Sequence, residues 1–219
     1  MRVEEIRTVA CLGTGTMGHG VAFLAAKAGY AVRLFGRSKE SLDKGLAGVD
    51  RAIALYEDNQ LMPKGEGEAI KKRITPVTSL EEASAGADLV MESVAENVEI
   101  KQQTFAIAER HCNPKAILAT NTSSMSLSAI SSTLARPEYF LSIHFFSPPY
   151  LMSPVEVSPV PATLPETRAL GARWVESLGN VPIPLEKELQ GFIVNRIQAA
   201  CLREALYIVE QGWASPETV

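Results

Sequence analysis

Residues 8–29 read TVACLGTGTMGHGVAFLAAKAG, and the rest of the chain takes its bearings from them. Residues 8–12 form a short apolar run, too short for a buried helix and of the right length for a buried parallel strand. Gly13, Gly15 and Gly18 follow in G-x-G-x-x-G spacing, and Val21, Ala22, Leu24, Ala25 and Ala28 then recur at helical intervals. Each glycine has a physical task. Gly13 permits a tight turn, Gly15 lets the backbone approach a pyrophosphate, and Gly18 lets the helix lie close on the strand. Thr16 and Met17 open that helix, where unpaired N–H groups and the helix dipole favour phosphate. Gly29 closes the helix at C′, and residues 31–35 read as a second strand.

Outward from this unit, strand and helix alternate. Ser38 is placed to cap a long helix reaching about residue 60, followed by a turn over 61–68 and a short basic helix carrying Lys71, Lys72 and Arg73. Strands are expected at 74–78, 88–91, 116–119, 139–145, 155–157 and 181–185, with helices at 96–111, 127–134 and 165–178. Such a βαβ succession with short links predicts an α/β fold, a Rossmann-type doubly wound, mainly parallel sheet over residues 1–190. Ligands of such sheets bind beyond the C-terminal strand ends, where the glycine turn, residues 92–97, residues 121–124 and His144 all fall. From Gly191, Phe192, Val194, Ile197, Leu202, Leu206 and Val209 make a long amphipathic helix closing at Gly212. Ser215-Pro216-Glu217 then starts another helix, so residues 191–219 read as the beginning of a helical domain whose remainder is absent.

Composition narrows the function. With 46% hydrophobic and 21% charged residues the chain can bury a real core. A net charge of −4 without a Lys/Arg stripe argues against nucleic acid, and no apolar run nears the ~20 residues of a membrane span. Cys11, Cys112 and Cys201 have neither metal nor disulfide spacing; with no apolar signal region, they read as buried thiols in the reducing cytoplasm, and no metal is expected.

The chemistry concentrates in SIHFFSPPYLMSPVEV, residues 142–157. His19, in the first turn of the glycine-loop helix, and His111, at a helix end, read as surface or helix-end residues. His144 ends a core strand before a Ser-Pro-Pro turn, and Glu156 lies twelve residues on in a strand that returns past it. If the two strands lie side by side, the carboxylate holds one imidazole nitrogen and leaves the other facing the crevice. An unperturbed imidazole titrates near 6.5, which suits proton abstraction from an alcohol at neutral pH, and the carboxylate stabilises the imidazolium that forms.

In order and approximate spacing, GTGTMGHG, MESVAENVEIK, ATNTSS, HFFSPP, PVEV and GFIVNR resemble the L-3-hydroxyacyl-CoA dehydrogenase family over almost the whole chain. The resemblance implies NAD(P)-dependent, reversible oxidation of a 3-hydroxyacyl-CoA to the 3-ketoacyl-CoA. It makes His144 the base and Glu156 its partner, and assigns Ser123 and Asn195 to the substrate. Glu96 and Lys101 are assigned to the cofactor side of the cleft, where Asn121 also belongs. It further implies a homodimer formed through the helical domain.

Three departures stand out. Where the family carries an acid after the second strand to bond the adenosine ribose, this chain has Gly36-Arg37-Ser38, the combination a 2′-phosphate requires; NADP is therefore expected to be accepted and preferred. Ser147 replaces an asparagine, and Ser153-Pro154 precedes Val155 unusually. The helical domain is mostly missing. Lys64, Lys71, Lys72 and Arg73 are candidates for the phosphates of CoA, or a solvated helix face. Two rival readings follow: a dehydrogenase of a free hydroxy acid of the gulonate or carnitine type, and a dinucleotide-binding module with little turnover.

Overall fold

The computed structural model describes residues 1–219. Its elements run β1 (Thr8–Leu12), α1 (Thr16–Lys27), β2 (Ala31–Phe35), α2 (Lys39–Asp58), α3 (Glu66–Lys72), β3 (Ile74–Val77), α4 (Leu80–Ser84), β4 (Leu89–Glu92), α5 (Val98–His111) and β5 (Ile117–Thr120). The chain continues through α6 (Leu127–Ser131), β6 (Phe140–Phe145), β7 (Pro154–Pro159), α7 (Pro165–Ser177), β8 (Val181–Pro184) and α8 (Val194–Glu210). One eight-stranded sheet has the order β3-β2-β1-β4-β5-β6-β7-β8. It is parallel except where β7 runs antiparallel to β6. The chain therefore has the Rossmann-type α/β fold, with its crevice where the strand order reverses between β1 and β4.

Helices cover both faces, as a parallel sheet requires. Val9, Cys11, Ile143, Phe145, Val155 and Val157 pack on one side with α1 and Trp174 of α7. Ala10, Leu12, Leu118 and Phe140 pack on the other with Phe105 of α5. Trp174 is fully buried, and its loss would cost about 3–5 kcal/mol. The alternation continues along β6, whose Leu141, Ile143 and Phe145 face the first core. Ser142 and His144 must then face the second.

Several elements differ from the sequence reading. The expected turn at 61–68 already contains the first residues of α3, because Gly65 at φ +90 lets the helix start at Glu66. The five-residue α4, capped by the Ser79 hydroxyl on the Glu82 amide, is too short to show a periodicity. The last helix begins at Val194, since Gly191 and Phe192 take left-handed backbone at φ +76 and +49; Phe192 is no part of its amphipathic face. Ser215 accepts the Thr218 amide at 3.3 Å, the bond expected of a capping serine. Cys11 and Cys112 are buried, whereas Cys201 is exposed on α8. Burial pushes the Cys11 thiol up to about 12. No helix is long and apolar enough to cross a membrane.

Candidate active site

The glycine turn is built for close approach. Gly13 sits at φ +124 with the Ser93 carbonyl where a Cβ would stand, and a Cβ on Gly18 would strike the Gly13 carbonyl. Gly15 has nothing within 4 Å of such a position and caps α1 without a side chain. Its neighbours Thr16 and Met17 thus present backbone amides that the helix cannot pair internally. Beside the turn lies a cavity of about 490 Å³ lined by Gly13, Gly15, Gly36, Arg37, Ser41 and Val94 among others. An open glycine at a helix N-terminus, above a cavity at the strand ends, fits a dinucleotide: pyrophosphate at the turn and adenosine toward β2. Arg37 is exposed. Ser38 is committed to the cap of α2, accepting the Ser41 amide at 3.2 Å, so its hydroxyl is not wholly free for a ligand. Ser41, in the first turn of α2, also lines the cavity, but its hydroxyl closes the same cap, donating to the Ser38 carbonyl at 2.8 Å and accepting the Ser38 amide at 3.2 Å.

A Cβ on Gly36 would come within 2.6 Å of the Ser41 hydroxyl and 2.9 Å of Leu42 and Thr14 side chains. An acidic residue could enter there only if all three moved. A larger cavity of about 640 Å³ lies at the opposite end of the sheet, between the 160–165 loop and Glu186–Glu188, and holds none of these groups.

At the rim of β6, the antiparallel register sets His144 directly across from Glu156. The imidazole Nδ1 lies 2.8 Å from Glu156 Oε2, and both side chains are buried. The other ring nitrogen, Nε2, is 3.2 Å from the hydroxyl of Ser123, which is exposed at the rim. Glu156 Oε1 is not idle: it accepts the amides of Ile193 and Val194, at 2.8 and 3.0 Å. The Phe192 ring lies parallel to the imidazole, with centroids 4.7 Å apart and planes 10° apart, while Phe146 meets it edge-on at 5.0 Å.

Ser123 is held from two sides. Its carbonyl accepts Asn195 Nδ2 at 3.3 Å, and its amide donates to Glu96 at 3.3 Å. Glu96 also accepts the Thr122 hydroxyl at 2.9 Å. Asn121 is buried, and its side-chain oxygen accepts the Phe145 amide at 2.8 Å; it joins the ends of β5 and β6 rather than pointing outward.

Lys101 is a correction to the sequence reading. It does not line an open cleft but is buried, with Nζ 2.7 Å from Glu92 and 3.6 Å from Glu96. Glu92 accepts in addition the Thr120 hydroxyl at 2.6 Å and the Val94 amide at 2.7 Å. Burial pushes its carboxyl above the usual range, against Lys101 and these donors, which favour the anion. Lys101 therefore reaches the site only through Glu96. His19 is likewise not at the surface: it is buried, and its ring fills the space a Cβ on Gly48 of α2 would need. Burial depresses its pKa. His111 is exposed at the end of α5, as expected. The basic cluster near α3 does not converge on the rim. Lys71 pairs with Glu68 at 2.6 Å and Asp50 at 3.6 Å, and Arg73, at the N-terminal end of the sheet, donates to the Ala26 carbonyl. Ser147 is exposed, and the Ser153 carbonyl accepts the Val181 amide and Asn180 Nδ2, so neither departure disturbs the dyad.

Comparison with known proteins gives this geometry a family. The model described as "3-hydroxyacyl-CoA dehydrogenase, NAD binding domain" matches residues 8–189, and that of the "3-hydroxyacyl-CoA dehydrogenase, C-terminal domain" matches residues 191–219. The chain is 34% identical over 215 residues to the probable 3-hydroxybutyryl-CoA dehydrogenase of Bacillus subtilis (strain 168), covering 98% of this chain and 74% of the relative. It is 36% identical to the 3-hydroxyadipyl-CoA dehydrogenase of Escherichia coli (strain K12), again over 98% of this chain but only 45% of the relative. Among solved structures, the (S)-3-hydroxybutyryl-CoA dehydrogenase of Ralstonia eutropha superposes with a TM-score of 0.93 at 31% identity, over 98% of this chain and 75% of that one. The chain belongs to the 3-hydroxyacyl-CoA dehydrogenase family.

Proposed function

We propose that the chain interconverts an L-3-hydroxyacyl-CoA and the corresponding 3-ketoacyl-CoA with a nicotinamide dinucleotide. The observation that carries this reading is the orientation of His144: Nδ1 is taken by a buried carboxylate while Nε2 turns to an exposed serine at the rim. A carboxylate on Nδ1 keeps the proton on that nitrogen and leaves Nε2 with its lone pair toward the substrate. His144 accepts the proton of the substrate hydroxyl on oxidation and returns it on reduction. Glu156 balances the charge the ring acquires. Ser123 and Asn195 position the reacting oxygen, and Glu96 fixes the Thr122–Ser123 backbone against the cofactor side. A nicotinamide dinucleotide would supply the hydride acceptor here; Gly13, Gly15, Thr16, Met17 and Gly18 would hold its phosphates, and Gly36, Arg37 and Ser38 would lie at its adenosine end. Asn121 and Lys101 act indirectly, by joining strand ends and by supporting Glu96.

NADP is the preferred cofactor in this reading. Gly36 offers no carboxylate to repel a 2′-phosphate and is walled in by Ser41, Leu42 and Thr14, while Arg37 stands free beside it. The exposed apolar residues of α8, Ile197, Leu202 and Leu206, support assembly as a homodimer through the helical region. Acetoacetyl-CoA reduction by the purified chain, with NADPH and NADH in parallel, tests the activity. Cofactor binding without any oxidation would favour a binding module, and turnover of free hydroxy acids but not CoA thioesters would favour the gulonate- or carnitine-type rival.

A further inference from the structure

Gly191 and Phe192 are consecutive residues in left-handed backbone, and the second carries a large side chain there. A bulky residue keeps such a conformation only where its surroundings over-determine it. Those surroundings are the dyad. The Phe192 ring is 1% exposed and lies face to face with the His144 imidazole, 10° from parallel. The next two amides, of Ile193 and Val194, bond the oxygen of Glu156 that the imidazole does not use. Three successive residues at the entry to α8 thus touch both members of the pair.

Filling a core requires neither a parallel plane nor a left-handed backbone, whereas a flat face laid parallel on an imidazole restricts the ring's plane. The Nδ1 bond to Glu156 fixes one point of the ring, but the ring can still tilt about that bond, which would swing Nε2 away from Ser123. A flat face at van der Waals distance blocks the tilt, and Phe146 at the other edge leaves one orientation.

We propose that the Phe192–Val194 entry into α8 is a positioning element for the proton acceptor: Phe192 fixes the plane of the His144 ring and the two amides fix the carboxylate behind it. This rests on the reading of His144 as base. Phe192 is buried against the ring, so its role is read through His144.

The test uses the full 219-residue chain with ring-15N-labelled histidine. There are three histidines, assigned by His19→Gln and His111→Gln. The expected signature is a His144 Nδ1 proton far downfield and slow to exchange with solvent. Phe192→Tyr preserves the stack and should keep both this resonance and a kcat near that of the parent. Phe192→Leu and Phe192→Met keep apolar bulk without a flat face. Each should lose or broaden the resonance and lower kcat by about 10²-fold, the cost of a misplaced reacting group, with KM for both substrates little changed. A leucine or methionine variant that keeps both the resonance and kcat overturns the proposal. If the leucine variant does not fold, the methionine variant decides. A parent chain whose His144 proton exchanges as fast as that of exposed His111 overturns it without any variant. Should the parent turn over no hydroxyacyl-CoA, the resonances of the variants still decide the clamp, and only the functional reading falls.

Discussion

Glu156→Gln is the sharpest probe of the site, because the carboxylate serves two clients that one amide cannot both satisfy. Its Oε2 takes the imidazole Nδ1 and its Oε1 takes two amides of α8. A carboxamide has one accepting oxygen. If that oxygen stays with Ile193 and Val194, the NH2 group faces Nδ1, which must then accept; the ring proton moves to Nε2 and the lone pair facing the substrate is gone. The corresponding change in the serine-protease triad costs about 10⁴ in kcat for the same tautomeric reason. A loss of about 10³–10⁴, or roughly 4–5.5 kcal/mol of transition-state stabilisation, is therefore expected here. The amide bonds to α8 also lose their charge assistance, about 1 kcal/mol each, so the fold should weaken by about 2 kcal/mol. For a chain of this length that corresponds to a melting temperature about 4–8 °C lower. Steady-state acetoacetyl-CoA reduction and thermal melts read both numbers. Activity within tenfold of the parent, with an unchanged melt, would refute the assignment of Glu156 as the group that sets the tautomer.

Arg37→Ala should raise KM for NADPH roughly 10- to 100-fold, the value of a charge-assisted phosphate contact, and leave NADH almost unaffected. A parent enzyme that strongly prefers NADH sinks that prediction at once. Lys101→Met leaves the buried Glu92 carboxylate without its cation and should cost about 3–5 kcal/mol in urea unfolding, most of it recovered in the Lys101→Met/Glu92→Gln double variant. Burial, with a smaller contribution from Arg51, outweighs the backbone hydrogen bonds of Thr14 and Gly15 that favour a charged ring, so the folded pKa of His19 lies below the unfolded value of 6.5. The unfolded chain then binds the extra proton, and this part of the stability is present above pH 6.5 and lost as pH falls below it. In His19→Gln, the drop in urea midpoint between pH 7 and pH 5 should be smaller than in the parent; an equal or larger drop would mean that the ring is charged in the fold.

Where signals were local, the sequence was sufficient. The bounds of β1 and β2 follow from apolar runs closed by Gly13 and Gly36, and Ser38 caps α2 as its hydroxyl suggests. The His144–Glu156 pairing was legible because only twelve residues separate two strands that meet around a proline turn. Contacts made across longer separations were not. Glu92 ends an apolar strand and Lys101 sits in an ordinary charged helix, so nothing local tells that they neutralise one another out of water. Phe192 continued the apolar periodicity of α8 on paper. Only the positive φ at Gly191 and Phe192, and the ring of His144 from forty-eight positions earlier, withdraw it from the helix. The resemblance assigned roles to Asn121 and Lys101 but could not say that both work from behind the site.

The single antiparallel junction in the sheet has one more consequence. Because β6 and β7 are antiparallel neighbours, the acid and base are opposite rungs of one ladder, and their spacing is set by sheet geometry, not by the residues 146–153 that join them. Beyond Phe146, which meets the His144 ring, that connector can lengthen, shorten or change composition while the rungs stay aligned. A slip of one rung within β7 would instead turn the carboxylate to the opposite face and bring a valine beside the ring. Variation in what the enzyme accepts is thus free to accumulate in the connector, while the proton-handling pair is carried intact from one variant to the next.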